Sequence, residues 1–104
     1  MKIHQIRNAT IIITYNNKRF LIDPWLMPKD FMPGFEGAMN SKVRQPRVDL
    51  PKDFDINHLP LDAIILTHFH PDHFDEFAVK TLDKNIPFYV QNEIDLSIIK
   101  NFGF

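Results

Sequence analysis

Apolar runs separated by turn residues give the start of the chain the pattern of antiparallel strands. Lys2–Arg7 is a short extended run, and Ala9–Tyr15 is rich in β-branched threonine and isoleucine, which favours a strand. Asn16 and Asn17 tolerate positive φ, as a tight hairpin turn requires. The pattern therefore predicts a hairpin in which Lys18–Asp23 returns beside the second strand.

The part of the chain after residue 60 alternates between strand and helix patterns. Ala63–Thr67 is a continuous apolar run, which is typical of a strand covered on both faces. Phe74–Lys84 has apolar residues at helical spacing, and Pro87–Gln91 is a second short strand. Asn92 suits the cap of a last helix, and Gly103 suits its end. These elements predict a right-handed βαβ unit followed by a helix, and with the hairpin they predict an α+β fold.

Residues 24–60 show neither the helical nor the strand spacing of apolar residues. A loop this long in a compact domain is usually functional or disordered. Its apolar residues argue against disorder, which is normally poor in aromatics. They are Trp25, Met27, Phe31, Met32, Phe35 and Met39. Two interpretations are open: a partly ordered flap near a site, within one domain spanning residues 1–104, or apolar residues that plug the edge of the core.

The composition is that of one globular domain. The 104 residues are 44% hydrophobic and 24% charged, with a formal net charge of −1. This balance gives no electrostatic reason to expect a nucleic-acid or membrane partner. Lys42, Arg44 and Arg47 form the densest basic group, and a solvated loop explains them better than contact with an anionic substrate. The start has no long apolar segment and no run reaches membrane-spanning length, so we expect a cytoplasmic protein.

The side chains best able to bind metal are clustered directly after the predicted strand Ala63–Thr67. Residues 68–73 there have the sequence His-Phe-His-Pro-Asp-His. Ligands collect at the carboxyl ends of parallel strands. His68 and His70 are two residues apart, so in extended backbone both point to one face and can hold one metal ion. Asp72 and His73 lie beyond a proline, at the turn into the next helix, where a second metal could bind. A chance cluster of surface histidines is the weaker alternative.

The chain has no cysteine. Disulfides, thiolate metal sites and cysteine nucleophiles are therefore excluded for these residues. Histidine and aspartate remain as the strong ligands, a set suited to zinc, manganese or iron. A divalent cation of this group is the cofactor that the residues predict.

The segment Thr67-His68-Phe69-His70-Pro71-Asp72-His73 resembles the signature of the metallo-β-lactamase superfamily. Three further features are similar to its branch of broad metal-dependent hydrolases, which includes UlaG-like lactonases. They are the opening hairpin, the turn Leu21-Ile22-Asp23-Pro24-Trp25, and the Pro-rich stretch of residues 24–60 before the motif. The resemblance extends over essentially the whole chain. It implies a four-layer αββα sandwich with the metals at one edge, of which this chain would supply the N-terminal half.

The resemblance also implies roles for the clustered residues. His68 and His70 would bind the first of two zinc ions, and Asp72 and His73 the second. A water or hydroxide bridging the metals would attack the substrate, since zinc lowers the pKa of bound water to about 7. Asp72 would be the catalytic residue that orients this nucleophile or shuttles its proton.

Two further acids, Asp23 and Asp75, are candidate supports for the histidines. Metal-binding imidazoles usually donate their second nitrogen to a carboxylate or a carbonyl. Each acid also has an ordinary explanation, Asp23 as a turn residue before proline and Asp75 as a solvated acid in the first turn of a helix. Both interpretations are open at this stage.

The chain departs from the family pattern in length. Family members have a second half that supplies another histidine, a bridging aspartate and a final histidine, and neither His4 nor His58 matches those positions. The resemblance therefore implies half of a site for small-molecule esters, lactones or phosphodiesters. One sheet face would lack its partner, so we expect a C-terminal half or a homo-oligomer to be needed.

The alternative function is a non-catalytic metal-binding or assembly module, because only four candidate ligands are present. A nuclease of the same superfamily is disfavoured by the lack of a basic patch.

Overall fold

A five-stranded mixed sheet forms the centre of the molecule. The computed structural model describes residues 1–39 and 41–104. The strands lie in the order in which they occur along the chain: β1 Lys2–Arg7, β2 Thr10–Tyr15, β3 Lys18–Ile22, β4 Ala63–Ile65 and β5 Phe88–Tyr89. β1, β2 and β3 pair antiparallel, whereas β3 with β4 and β4 with β5 pair parallel. The helices are α1 Glu76–Thr81 and α2 Glu93–Asn101, with a short 3-10 turn at Ile56–His58.

The predicted hairpin is confirmed. Asn16 and Asn17 have φ values of 51° and 63°, the left-handed conformation that a tight turn between β2 and β3 needs. Asn92 caps the start of α2, and Gly103 follows its end with a φ of 100°, both as predicted. The parallel pairing of β4 and β5 around α1 confirms the βαβ unit.

The second-half elements are shorter than their patterns predicted, for reasons visible in the hydrogen bonds. β4 ends at Ile65, because the Thr67 N–H donates to the Asp23 side chain rather than to a neighbouring strand. α1 begins at Glu76, because the Asp75 carboxylate accepts the Ala78 N–H at 2.9 Å as its N-cap. Side chains thus satisfy the backbone groups that a longer strand or helix would have used.

The main core lies between one face of the sheet and the two helices. Leu21 and Ile64 are neighbours across β3 and β4 and are fully buried. Ala78 of α1, Leu82 directly after it and Ile99 of α2 belong to the same buried cluster. Each fully buried Leu or Ile side chain is worth roughly 1.5–3 kcal/mol relative to an exposed one. The carboxyl ends of β3 and β4 are therefore held rigidly side by side.

The opposite face of the sheet is also apolar, but its outer strands are exposed. Its cross-strand rows are Ile3, Ile13, Phe20 and Ala63, and Gln5, Ile11, Ile22, Ile65 and Tyr89, of which Gln5 at the edge is polar. Ala63 and Ile22 are buried in the middle, whereas Ile3 and Tyr89 at the two edges are 59% and 60% exposed. The requirement for a partner over this face therefore remains a prediction with a definite location.

The Pro-rich stretch begins inside the molecule and continues outside it. Trp25, Leu26 and Met27 are buried. The Arg7 guanidinium donates to the carbonyls of Trp25 and Met27, both at 2.8 Å, and to that of Val48 at 3.1 Å. The beginning of the stretch therefore does plug the core edge, and the flap interpretation stays a prediction for its exposed outer part. In the described residues no helix is both long and apolar enough to traverse a bilayer.

Candidate metal centre

A tight turn at the end of β4 gathers the predicted ligands. The strand pairing extends one residue past β4, where the Leu66 N–H donates to the Tyr89 carbonyl at 2.9 Å. The chain then folds back, and the N–H groups of His73 and Phe74 donate to the His70 carbonyl at 2.9 and 3.2 Å. This turn places the motif at the carboxyl end of a parallel strand, where the topology favours ligand sites.

The three imidazoles lie against one another. The ring centroids of His68 and His70 are 4.4 Å apart, those of His68 and His73 are 4.0 Å apart, and those of His70 and His73 are 6.5 Å apart. Asp72 Oδ1 lies 3.7 Å from His73 Nε2. The structure therefore brings all four sequence-predicted ligands together, with His68 between the other two rings.

Asp23 is the centre of the hydrogen bonds behind these rings. Its side chain is 4% exposed; Oδ1 accepts the Thr67 N–H at 2.7 Å, and Oδ2 accepts the Thr67 hydroxyl at 2.7 Å. His73 Nδ1 lies 2.8 Å from the same Oδ2. Asp23 has a φ of 47°, and a non-glycine residue held there costs about 1–3 kcal/mol unless its surroundings compensate. These contacts, and the Thr10 hydroxyl that donates to its carbonyl at 2.6 Å, supply the compensation.

This contact defines how His73 can act. The carboxylate accepts from Nδ1, so a neutral His73 carries its proton there and leaves the Nε2 lone pair available. Metal-binding histidines are usually held in this way. The 3.7 Å between Nε2 and Asp72 Oδ1 is near the roughly 3.4 Å expected for two ligands of one tetrahedral zinc. The donor chemistry and its support therefore fit a divalent metal.

Pairs of metal-binding side chains are close to each other, but they do not form a complete set of ligands around one position. Among the described residues, no three His, Asp or Glu side chains converge so that they could hold a metal ion by themselves. A catalytic zinc takes three protein ligands and a structural zinc takes four. His68, His70, Asp72 and His73 would therefore need either a local rearrangement or additional ligands.

Asp75 is occupied elsewhere. Its carboxylate accepts the N–H groups of Leu26 at 3.0 Å and Met27 at 2.6 Å, in addition to capping α1. Burial raises the pKa of Asp75, and these hydrogen bonds together with the charge of Arg7 oppose that rise. In the part of the chain that the structure describes, its side-chain hydrogen bonds reach backbone groups and not an imidazole. The support of the histidines by Asp75 stays a prediction, and its observed contacts join the Pro-rich stretch to the helix after the motif.

The other histidines are exposed. His58 Nδ1 pairs with the Asp55 carboxylate three residues earlier, which lowers the pKa of Asp55. His4 is an exposed residue of β1. Thr67 also belongs to the site, because its hydroxyl lies between Asp23 and His68. The sequence signal for this role is its position directly before the first histidine.

The fold and this site together define a class. The sequence profile of the Metallo-beta-lactamase superfamily matches residues 5–75. The chain therefore belongs to the metallo-β-lactamase superfamily, which confirms the resemblance and the α+β fold class. Membership of this superfamily of metal-dependent hydrolases implies a metal cofactor.

Individual relatives are longer than this chain. The UPF0173 protein YddR of Bacillus subtilis (strain 168) is 46% identical over 104 residues, which cover 100% of this chain and 41% of that protein. The crystal structure of an isothiocyanate hydrolase from Delia radicum gut bacteria is 44% identical, with a TM-score of 0.91, over 100% of this chain and 40% of that one. That of a possible metal-dependent hydrolase from Veillonella parvula DSM 2008 has the same identity and TM-score over 98% of this chain and 39% of that one.

Proposed function

We propose that this chain carries the metal-binding turn of a metal-dependent hydrolase, with zinc as the metal and two ions in the complete site. The observation that supports it best is the buried Asp23 carboxylate 2.8 Å from His73 Nδ1. A carboxylate placed behind an imidazole costs backbone strain at Asp23 and orients the ring outward. Such an arrangement is typical of histidines that bind metal.

The four candidate ligands have different roles in this proposal. His68 and His70 would hold one ion, and Asp72 and His73 the other. When bound, the metals supply water of lowered pKa and polarise a carbonyl or phosphoryl oxygen. Asp72 has the role of orienting the attacking water or taking its proton, and its 39% exposed side chain leaves it accessible to substrate.

The proposed substrates are small molecules with an electrophilic carbon or phosphorus. Esters, lactones and phosphodiesters suit a metal-activated water. Isothiocyanates belong on the same list, because one structural relative is described as an isothiocyanate hydrolase. The chain spans 41% of the length of the curated relative YddR, so the activity and substrates of a whole protein are part of this proposal.

The second candidate is a metal-binding or assembly module without catalysis. It is favoured by one observation: in residues 1–39 and 41–104 the donors do not converge in groups of three or more. Under this proposal the same turn binds a cation weakly and leaves chemistry to other ligands.

Metal content and turnover separate the two. The chain is loaded with zinc, dialysed and measured for bound metal, and then assayed with a nitrophenyl ester, a lactone, a phosphodiester and an isothiocyanate. His68→Ala removes a central ring of the cluster, and His58→Ala removes an exposed histidine outside it as the matched control.

We expect bound zinc that His68→Ala reduces and His58→Ala leaves unchanged. Turnover that follows the same pattern supports the hydrolase, and bound metal without turnover on any substrate supports the module. A chain that retains no zinc at micromolar concentrations contradicts both.

A further inference from the structure

Thr67 connects the buried carboxylate to a second imidazole. We propose that Thr67 is a positioning residue through which the single carboxylate of Asp23 orients His68 as well as His73. Its hydroxyl oxygen lies 2.7 Å from Asp23 Oδ2 and 3.1 Å from His68 Nδ1. The superfamily match does not by itself assign this role to the threonine.

The count of hydrogens determines the direction of each bond. A hydroxyl has one hydrogen to donate and lone pairs with which to accept, whereas an ionised carboxylate only accepts. The Thr67 hydrogen therefore goes to Asp23, and the hydroxyl oxygen can only accept from His68. His68 must then carry its proton on Nδ1, which leaves Nε2 with a free lone pair.

Both rings consequently have the same tautomer. His73 donates its Nδ1–H directly to Asp23 Oδ2. His68 donates its Nδ1–H to the Thr67 hydroxyl oxygen, and that hydroxyl donates to the same Asp23 oxygen. The two ring centroids are 4.0 Å apart. No hydrogen bond reaches the His70 ring from any residue the structure describes. The geometry thus gives His68 and His73 the same tautomer, in which Nε2 of each ring keeps its lone pair.

Thr67 itself is held firmly enough to transmit this order. Its backbone N–H donates to Asp23 Oδ1 at 2.7 Å and its hydroxyl donates to Oδ2, so Thr67 is hydrogen-bonded to both carboxylate oxygens. A β-branched side chain also has restricted χ1 freedom. Rotation of the hydroxyl away from His68 would break its bond to Asp23, so the ring and the carboxylate are coupled.

The test uses the metal-free chain with 15N-labelled histidine, at a pH where the imidazoles are neutral. Imidazole 15N shifts report which nitrogen carries the proton. Thr67→Val keeps the branched shape and the backbone N–H but removes the hydroxyl, and Thr67→Ser keeps the hydroxyl. We expect both rings protonated on Nδ1 in the wild type and in Thr67→Ser. In Thr67→Val, His68 should become a mixture of tautomers while His73 is unchanged.

A second readout is the zinc affinity. Loss of a partner that orients a metal ligand typically weakens binding about 10- to 100-fold, so we expect that loss in Thr67→Val and its recovery in Thr67→Ser. This part rests on the proposed function, whereas the tautomer measurement needs neither metal nor turnover. The expected tautomers in a chain that binds no zinc would contradict the proposed function alone.

Two results overturn the inference itself. One is a wild-type His68 that carries its proton on Nε2. The other is a His68 that keeps its Nδ1 proton in Thr67→Val. Should the valine variant fail to fold, the wild-type and serine spectra still decide, because the inference requires the Nδ1 tautomer of His68 in both.

Discussion

Single buried residues next to the turn that carries His68, His70 and His73 determine how its imidazoles are oriented. Asp23 and Asp75 are both buried carboxylates, yet one accepts from Thr67 and an imidazole whereas the other accepts from the backbone. Sequence position did not distinguish them, since both were candidates for the same support. The difference is the identity of the donors around each carboxylate, which depends on residues more than forty positions away.

Asp75 is expected to contribute to stability through its hydrogen bonds to the backbone. Asp75→Ala removes the cap of α1 and leaves the Leu26 and Met27 N–H groups without acceptors, which should cost about 2–4 kcal/mol of unfolding free energy in urea. Asp75→Asn keeps one oxygen and should cost less. If either variant lost more free energy of zinc binding than free energy of unfolding, Asp75 would instead be supporting the histidines.

The Asp75 carboxyl also gives a pH dependence with a definite sign. Burial raises its pKa in the folded chain, so the folded state holds the proton more strongly than the unfolded one. Its contribution should therefore decrease as pH rises from about 3.9, the unfolded value, through the raised pKa. The measurement is the unfolding free energy of the wild type minus that of Asp75→Asn across this range. A difference that grows with pH would mean that the hydrogen bonds outweigh burial.

At the scale of elements, the Pro-rich stretch is attached to the sheet by one buried cation. Arg7, at the end of β1, donates to three carbonyls of this stretch and lies 5.3 Å from the Trp25 ring centroid. Burial lowers the pKa of Arg7, and the charges of Asp75 and Asp49 oppose that change. The same stretch is bound to α1 through Asp75, so β1, the stretch and the helix after the motif form one connected unit.

Replacement of Arg7 should loosen this unit. Arg7→Met leaves buried carbonyls without donors and Asp75 without a nearby cation, which should cost about 2–4 kcal/mol in urea unfolding and speed proteolysis within residues 28–50. Arg44→Met is the matched control, since exposed Arg44 donates to the carbonyls of Asp30 and Phe31 and should cost under about 0.5 kcal/mol. Equal effects of the two variants would show that Arg7 does not anchor the stretch.

At the scale of the whole molecule, one apolar face of the sheet has exposed edges. A chain that spans about 40% of its structural relatives exposes Ile3 and Tyr89 at the edges of a face without charged residues in its central rows. Exposed apolar patches of this kind usually mark interaction surfaces. The face therefore predicts that the isolated 104-residue chain associates or is marginally stable.

Sedimentation at increasing protein concentration tests this expectation. We expect the average mass to rise with concentration, and Ile3→Lys to reduce the rise by placing a charge on the face. Ile94→Lys makes the same change on the exposed surface of α2, where Ile94 is 74% exposed, and should have no effect. A monodisperse monomer that melts cooperatively at all concentrations would contradict the prediction.

Local pattern was sufficient for the type and order of the elements, and it singled out the candidate ligands. Two asparagines allowed the hairpin turn, β-branched residues favoured its strands, and Asn92 marked the start of α2. The spacing of the histidines was enough to place them together after β4. Each of these properties depends on neighbours within a few residues, which a single sequence displays directly.

Only the tertiary structure decided how the ligands are held. Asp23 meets Thr67 and His73 across 44 and 50 residues because β3 pairs with β4 in parallel, so that the two strands end at the same edge. The partners of Arg7 and Asp75 are also remote in sequence, 20 residues for Arg7 and Met27 and 49 for Leu26 and Asp75. Such hydrogen bonds depend on which strands become neighbours, and that choice is made by burial of the whole core rather than by any local pattern.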